Sequence, residues 1–136
     1  MNLVIYSDGG ARGNPGPSGI GAVLYNEKNE VVAKISRYIG EGTNNQAEYQ
    51  ALLVALEKAK DLRAKEVKCY LDSELVVKQL KGEYKVKDQL LAQHFLKIWN
   101  LKKDFSNISF HHVRREKNKL ADQLVNEAID KALLKK

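Results

Sequence analysis

The order of local segments constrains this chain most: three β-type runs precede any helical one. Leu3-Val-Ile-Tyr6 is an apolar run ending in Ser7-Asp8, which reads as a strand that stops at Asp8. The stretch 9–19 (GGARGNPGPSG) is dense in Gly and Pro and reads as a loop. Ile20 to Tyr25 and Val31 to Ile39 are two further β-type runs, and Asn26-Glu-Lys-Asn29 between them has hairpin composition. An antiparallel meander is the expected result. Thr43-x-x-Gln46 is a capping-box pattern that opens a helix running to about Lys60. EVKCYLD (66–72) then reads as strand four, and Ser73 to about Lys81 as a short helix ended by Gly82. Asp88 to Lys103 reads as a longer helix, Ile108 to Val113 as strand five, and Asn118 as the cap of a last helix reaching about Leu134. The order β-β-β-α-β-α-α-β-α belongs to the α/β class, and a helical crossover into strand four requires part of the sheet to be parallel. The Lys135-Lys136 tail is expected to fray.

At 136 residues the chain is expected to form one domain, 1–136, and its 43% hydrophobic content is too apolar for disorder. The longest apolar stretch, Ala51 to Leu56, is far too short to span a membrane. The N-terminus has no basic segment followed by a long apolar core, so no signal peptide is read and a cytoplasmic location is expected. A single cysteine, Cys69, excludes an internal disulfide framework and a multi-cysteine zinc site; inside a β-run it is expected to be buried and inert. Lys+Arg exceed Asp+Glu by 23 to 17, a net charge of +6, and residues 97–119 hold seven basic residues against Asp104 and Glu116. That clustering fits a polyanionic partner such as nucleic acid, although a solvated lysine-rich surface would look the same.

Four acids stand where packing alone would not put them. Asp8 and Asp72 each close an apolar strand, and ligands of partly parallel sheets bind beyond such carboxyl ends. Glu48 shares a helical stripe with Leu52, Ala55 and Ala59, the inward face, while Glu57 and Lys60 take the water. Asp122 falls in the first turn of the last helix, near the Val125-Ile129-Leu133 stripe. Each has a plainer reading: turn or helix cap for the aspartates at strand ends, dipole stabilisation near a helix start for Glu48 and Asp122. Together the four could meet at one end of the sheet, where their mutual repulsion would call for divalent cations. Oxygen-only donors point to Mg²⁺ or Mn²⁺ rather than Zn²⁺, and a basic protein with such a site suggests phosphodiester chemistry.

These residues resemble a known family. Asp8-Gly9-Gly10 with Asn14-Pro15-Gly16-Pro17, Gly19-x-Gly21, Thr43-Asn44-Asn45-x-Ala47-Glu48, Asp72-Ser73 and Asn118-x-x-Ala121-Asp122-x-Leu124, in this order, resemble ribonuclease H of type 1 over residues 1 to about 130. The resemblance implies a five-stranded mixed sheet, three antiparallel strands then two parallel, flanked by helices. It implies an endonuclease that uses two metal ions to cut the RNA strand of RNA/DNA hybrids, leaving 5′-phosphate and 3′-hydroxyl ends. Asp8, Glu48, Asp72 and Asp122 match the family's metal-binding carboxylates, and Glu48 the position near the substrate's 2′-hydroxyl. Gly9 falls in the same motif, Asn14, Asn44 and Asn45 match hybrid contacts, and Thr43 matches a DNA-phosphate contact. Glu74 matches a base-contact position where many relatives carry Gln. No obligate protein partner is evident, and a monomer without a separate hybrid-binding domain is expected. Two other readings remain open: an inactive nucleic-acid-binding module, and a related nuclease acting on double-stranded RNA or DNA.

Two departures stand out. The basic helical protrusion of many relatives is replaced by GEYKVK (82–87), which leaves Tyr84 beside two lysines as an exposed contact. The loop before the last Asp, Arg114-Arg-Glu-Lys117, lacks the family's His, so Arg115 or Glu116 is expected to fill its role. His111 and His112 read as strand residues, one facing in and one out. The Gly-rich loop lacks a following Gly-Lys-Ser/Thr and is no Walker A loop; it is expected to admit a nucleic-acid backbone at close approach. Trp99, spaced with Leu91 and Phe95, is expected in the core.

Overall fold

A computed structural model describes residues 1–134, so the expected fraying of Lys135-Lys136 lies outside the described residues. The strands are β1 (Asn2–Ala11), β2 (Gly16–Tyr25), β3 (Val31–Gly42), β4 (Glu66–Leu71) and β5 (Asn107–His112). The helices are α1 (Asn44–Asp61), α2 (Glu74–Leu80), α3 (Gln89–Leu101) and α4 (Lys119–Leu134), with 3₁₀ turns at Lys102–Asp104 and Arg115–Lys117. The sheet has the order β3-β2-β1-β4-β5. The β1–β2 and β2–β3 pairs are antiparallel, while β1–β4 and β4–β5 are parallel, as the strand order required. No helix among the described residues is long and apolar enough to cross a membrane.

The largest correction concerns the Gly-rich stretch. Only residues 12–15 form the loop; β1 continues past Asp8 to Ala11 and β2 begins at Gly16. Most of these glycines are strand residues with helices laid directly on them. A Cβ at Gly9 would overlap the Ala47 carbonyl and the Glu48 amide of α1, and one at Gly21 would overlap the Ala121 carbonyl of α4. The composition signalled a close backbone approach, and at Gly9, Gly19 and Gly21 it is a helix backbone that makes it.

Helix α1 lies on one face of β1 and β2, where Leu52, Ala55, Leu56 and Ala59 are buried against Leu3, Ile5, Cys69 and Leu71. Each fully buried leucine or isoleucine there contributes about 1.5–3 kcal/mol. Helix α4 covers the opposite face over β2, β3 and β1. The capping box at Thr43 is complete: its hydroxyl accepts from the Gln46 N–H, and the Gln46 side chain accepts from the Thr43 N–H. Gly82 follows α2 with φ +80°, the left-handed position glycine accepts most readily.

Trp99 departs from expectation, being 53% exposed. Leu91 and Ile98, seven residues apart, take the buried stripe of α3. Trp99 is one residue, about 100°, beyond Ile98, so it turns outward, where the Lys102 ammonium sits 4.3 Å from its ring centre.

Candidate active site

Parallel pairing of β1 and β4 sets Ser7 opposite Leu71, so Asp8 and Asp72 are the next residues on adjacent strands. Asp72 is not needed as a helix cap, because the Ser73 hydroxyl accepts from the Val76 N–H and does that work. Glu48 projects from α1, one residue beyond its first turn, and is only 6% exposed. The Gly9 N–H donates to Glu48 Oε1 at 3.3 Å, and Glu48 Oε2 is buried with no hydrogen-bond partner. Carboxylate oxygens of Asp8, Glu48 and Asp72 lie within 4.8 Å of one another. Asp122, in the first turn of α4, lines the same cleft of about 380 Å³, and its charge reaches Asp8. All four carboxylates therefore converge.

Their electrostatics follow from that crowding. Burial pushes the Asp8 carboxyl up to about 7; the neighbouring Glu48 carboxyl opposes this, while the negative charges of Asp72 and Asp122 add to it. Burial, followed by the charge of Asp8, holds Glu48 well above the usual carboxylate range. The ion pairs among the described residues are Arg12–Asp130, Lys60–Asp104 and Lys78–Glu74, and none of them neutralises a cleft acid. A buried unpartnered carboxylate oxygen beside two further acids is costly without a cation. The donor set fits a divalent metal ion bound through hard oxygen ligands.

Asn118 is the residue whose function the sequence hid. Its position just before α4 agrees with a cap, but its Oδ1, the atom a cap would use, has no partner. Instead its buried Nδ2 donates to the Ser7 carbonyl at 2.9 Å and to Asp72 Oδ2 at 3.2 Å, fixing Asp72 against β1. Its spacing of four residues from Asp122, one helical turn, was the available signal. Arg12, not singled out in the sequence, also lines the cleft and ties the 12–15 loop to α4 through Asp130 at 2.7 Å.

The expected substrate contacts divide. Asn44 and Asn45 line the cleft, as does Gly9, whose missing side chain is spent on packing against α1. Asn14 stands beside them: its Oδ1 accepts from the Asn44 N–H at 3.1 Å, while Asn44 Oδ1 accepts from the Ala11 N–H at 2.8 Å. Thr43 is half-buried and serves the α1 cap. Glu74 is outside the cleft lining, exposed and paired with Lys78 at 2.9 Å. Of the loop pair, Arg115 lines the cleft and Glu116 does not. His111 is half-buried in the sheet and His112 exposed.

Comparison with known proteins agrees with this geometry. Residues 6–128 match the family described as "Reverse transcriptase-like". A bifunctional protein of Mycobacterium tuberculosis is 42% identical over 133 residues, 97% of this chain and 36% of that protein. Ribonuclease HI of Halobacterium salinarum is 43% identical over 127 residues, 93% of this chain and 64% of that protein. The chain thus spans about a third of the first of these relatives and less than two thirds of the second. Among solved structures, a compost-derived ribonuclease H1 in complex with RNA/DNA hybrid superposes with a TM-score of 0.92 at 51% identity, covering 96% of this chain and 99% of that one. Its sheet order, the meeting of its acids and these likenesses together make the chain a member of the ribonuclease H family, type 1.

Proposed function

We propose that the chain is a divalent-metal-dependent endonuclease that hydrolyses the RNA strand of RNA/DNA hybrids, leaving 5′-phosphate and 3′-hydroxyl ends. The observation that carries this reading is the convergence of Asp8, Glu48, Asp72 and Asp122 with no ion pair to any of them among the described residues. The hybrid bound by its 51%-identical structural relative supports the substrate class. Asp8, Glu48, Asp72 and Asp122 would hold the metal, with Mg²⁺ or Mn²⁺ the ions suited to an all-oxygen set. Divalent cations bound there would acidify the attacking water and neutralise charge on the leaving oxygen. The chain's own residues prepare the site: Asn118 fixes Asp72, the Gly9 N–H orients Glu48, and the Asn14–Asn44 hydrogen bond sets the rim on which a minor groove would rest. Arg115 brings a positive charge to the cleft wall, placed to attract phosphate. One sheet with its helices carries all four acids, so the active unit is taken as one catalytic domain working as a monomer.

The test compares labelled RNA/DNA hybrid, duplex RNA and duplex DNA in one assay. Cleavage of the hybrid alone is expected, abolished by EDTA and by Asp8→Asn in a variant that remains folded. Full activity of either sample would overturn the mechanism; cleavage of duplex RNA or DNA would reassign the substrate. Tight hybrid binding in Mg²⁺ without cleavage would make the chain a binding module.

A further inference from the structure

Two cationic residues line the acidic cleft, Arg115 and Arg12. Arg12 directly follows β1, four residues past Asp8, which is about 13 Å along an extended strand. Its backbone is fixed: the N–H donates to the Pro17 carbonyl at 2.8 Å across the 12–15 loop. Strand alternation turns Asp8, Gly10 and Arg12 toward α4, since a Cβ at Gly10 would meet Val125 and Arg12 pairs with α4 itself. On that side of the strand no side chain stands between the Asp8 carboxylate and the guanidinium. Every side-chain contact of Arg12 runs through one nitrogen. Nη2 lies 2.7 Å from Asp130 Oδ1 and donates to Asn126 Oδ1 at 3.3 Å and to the Asn126 carbonyl at 3.5 Å. Asn126 stands one turn past Asp122, to whose carbonyl its own Nδ2 donates at 3.1 Å. Among the described residues Nε and Nη1 of Arg12 meet no acceptor, which leaves three of the guanidinium's five N–H donors free at the cleft wall.

We propose that Arg12 is a substrate-binding residue: held by Asp130 and Asn126 through Nη2, it offers Nε and Nη1 to a backbone phosphate of the RNA strand, away from the bond being cut. That role presupposes the hybrid cleavage proposed above. The ion pair with Asp130 is open to water at both ends, 39% and 59% exposed, so it adds little to the stability of the fold. What it supplies is direction. An anchored guanidinium loses less side-chain freedom on meeting a ligand than a loose one. Its remaining planar N–H donors suit phosphate oxygens, and its charge persists at any working pH. The four carboxylates mark where the scissile phosphate sits, and Arg12 lines the same cleft about 13 Å along β1. A strand lying in the cleft therefore carries further phosphates past the guanidinium.

Fluorescence anisotropy of a labelled RNA/DNA hybrid, titrated in Mg²⁺ over a range of salt, tests this on the full chain carrying Asp8→Asn, which is expected to bind without cutting. Adding Arg12→Ala should weaken binding about tenfold at low salt and lower the slope of log affinity against log salt by about one, the signature of one lost phosphate contact. In the chain that retains Asp8, Arg12→Ala should raise KM and leave kcat unchanged. Arg12→Lys restores a charge without the guanidinium's anchored donors, so it should recover the salt slope but not the full affinity. Asp130→Asn keeps an oxygen for Nη2 and removes a competing negative charge, so it should bind at least as tightly as its parent. An unchanged salt slope in Arg12→Ala, a fall in kcat at constant KM, or an equal loss of affinity in Asp130→Asn would overturn the assignment, the last by showing that the ion pair only holds the loop. A parent chain that neither binds nor cuts the hybrid would bring down the nuclease reading and this contact with it. A parent that cuts, with Arg12→Ala its equal in KM and salt slope, would bring down the contact alone.

Discussion

Gly9 and Gly10 are adjacent residues of β1 with opposite tolerance for a methyl group. A Cβ at Gly9 would sit inside the Ala47 carbonyl and the Glu48 amide, well within the 3.4 Å at which ordinary contact begins. These are backbone atoms of α1 and cannot rotate away, so the N-terminal part of the helix must retreat by roughly an ångström. Overpacking against mobile side chains costs about 1–3 kcal/mol, and with no side chain to yield the cost should reach at least the top of that range. At about 4 °C per kcal/mol for a chain of this length, Gly9→Ala should melt about 12 °C lower. Its retreat also carries Glu48 away from Asp8, and a misplacement of about 1 Å at a reacting centre costs about a hundredfold in rate. A Cβ at Gly10 meets only Val125 Cγ1, at 3.6 Å, so Gly10→Ala should be neutral or gain up to about 1 kcal/mol from a less flexible unfolded chain. Thermal unfolding by circular dichroism and hybrid cleavage, run on both variants, measure the two effects. A Gly9→Ala protein that melts within a few degrees of wild type and cuts at full rate would refute the claim that this glycine exists to let α1 touch β1.

Asp8 binds its proton up to about pH 7, against an ordinary value of 3.8, so between those limits the folded state holds a proton that the unfolded state has lost. Stability of the metal-free protein should therefore fall as pH rises through that window, and the stability of Asp8→Asn relative to wild type should climb over the same range; a pH-independent difference in melting temperature would contradict it. Asn118→Ala leaves the Ser7 carbonyl and Asp72 without their shared donor, so half-maximal cleavage should need about 10–100 times more Mg²⁺, with a stability loss of about 1–3 kcal/mol. An unchanged Mg²⁺ titration would show that Asp72 holds its place alone.

Much of this site could be read along the chain because its determinants are local or periodic. The inward placement of Glu48 follows from the 3.6-residue repeat it shares with Leu52, Ala55 and Ala59, all buried. The pairing of Asp8 with Asp72 follows from two strands that a helical crossover makes parallel. What escaped depended on distant partners. Glycine density marks turns and close packing with the same letters, and only the position of α1 tells that Gly9 belongs to the second kind. Asn118 carries a strong local preference for capping, yet its side chain reaches a carbonyl 111 residues away. Trp99 shares a helix face with Phe95, against which it stacks, and only the packing of α3 shows that the buried stripe runs through Leu91 and Ile98 instead.

Cys69 lies fully buried in the middle of β4, the strand that carries Asp72 at its end, and no other thiol exists in the chain. Burial also pushes its pKa far up, so an alkylating reagent meets no reactive sulfur while the sheet is closed. The molecule thus has a built-in clock for its own opening: the rate at which one adduct appears in a mass spectrum reports how often the centre of the sheet comes apart, and adding Mg²⁺ should slow it if ion binding clamps the strand ends together.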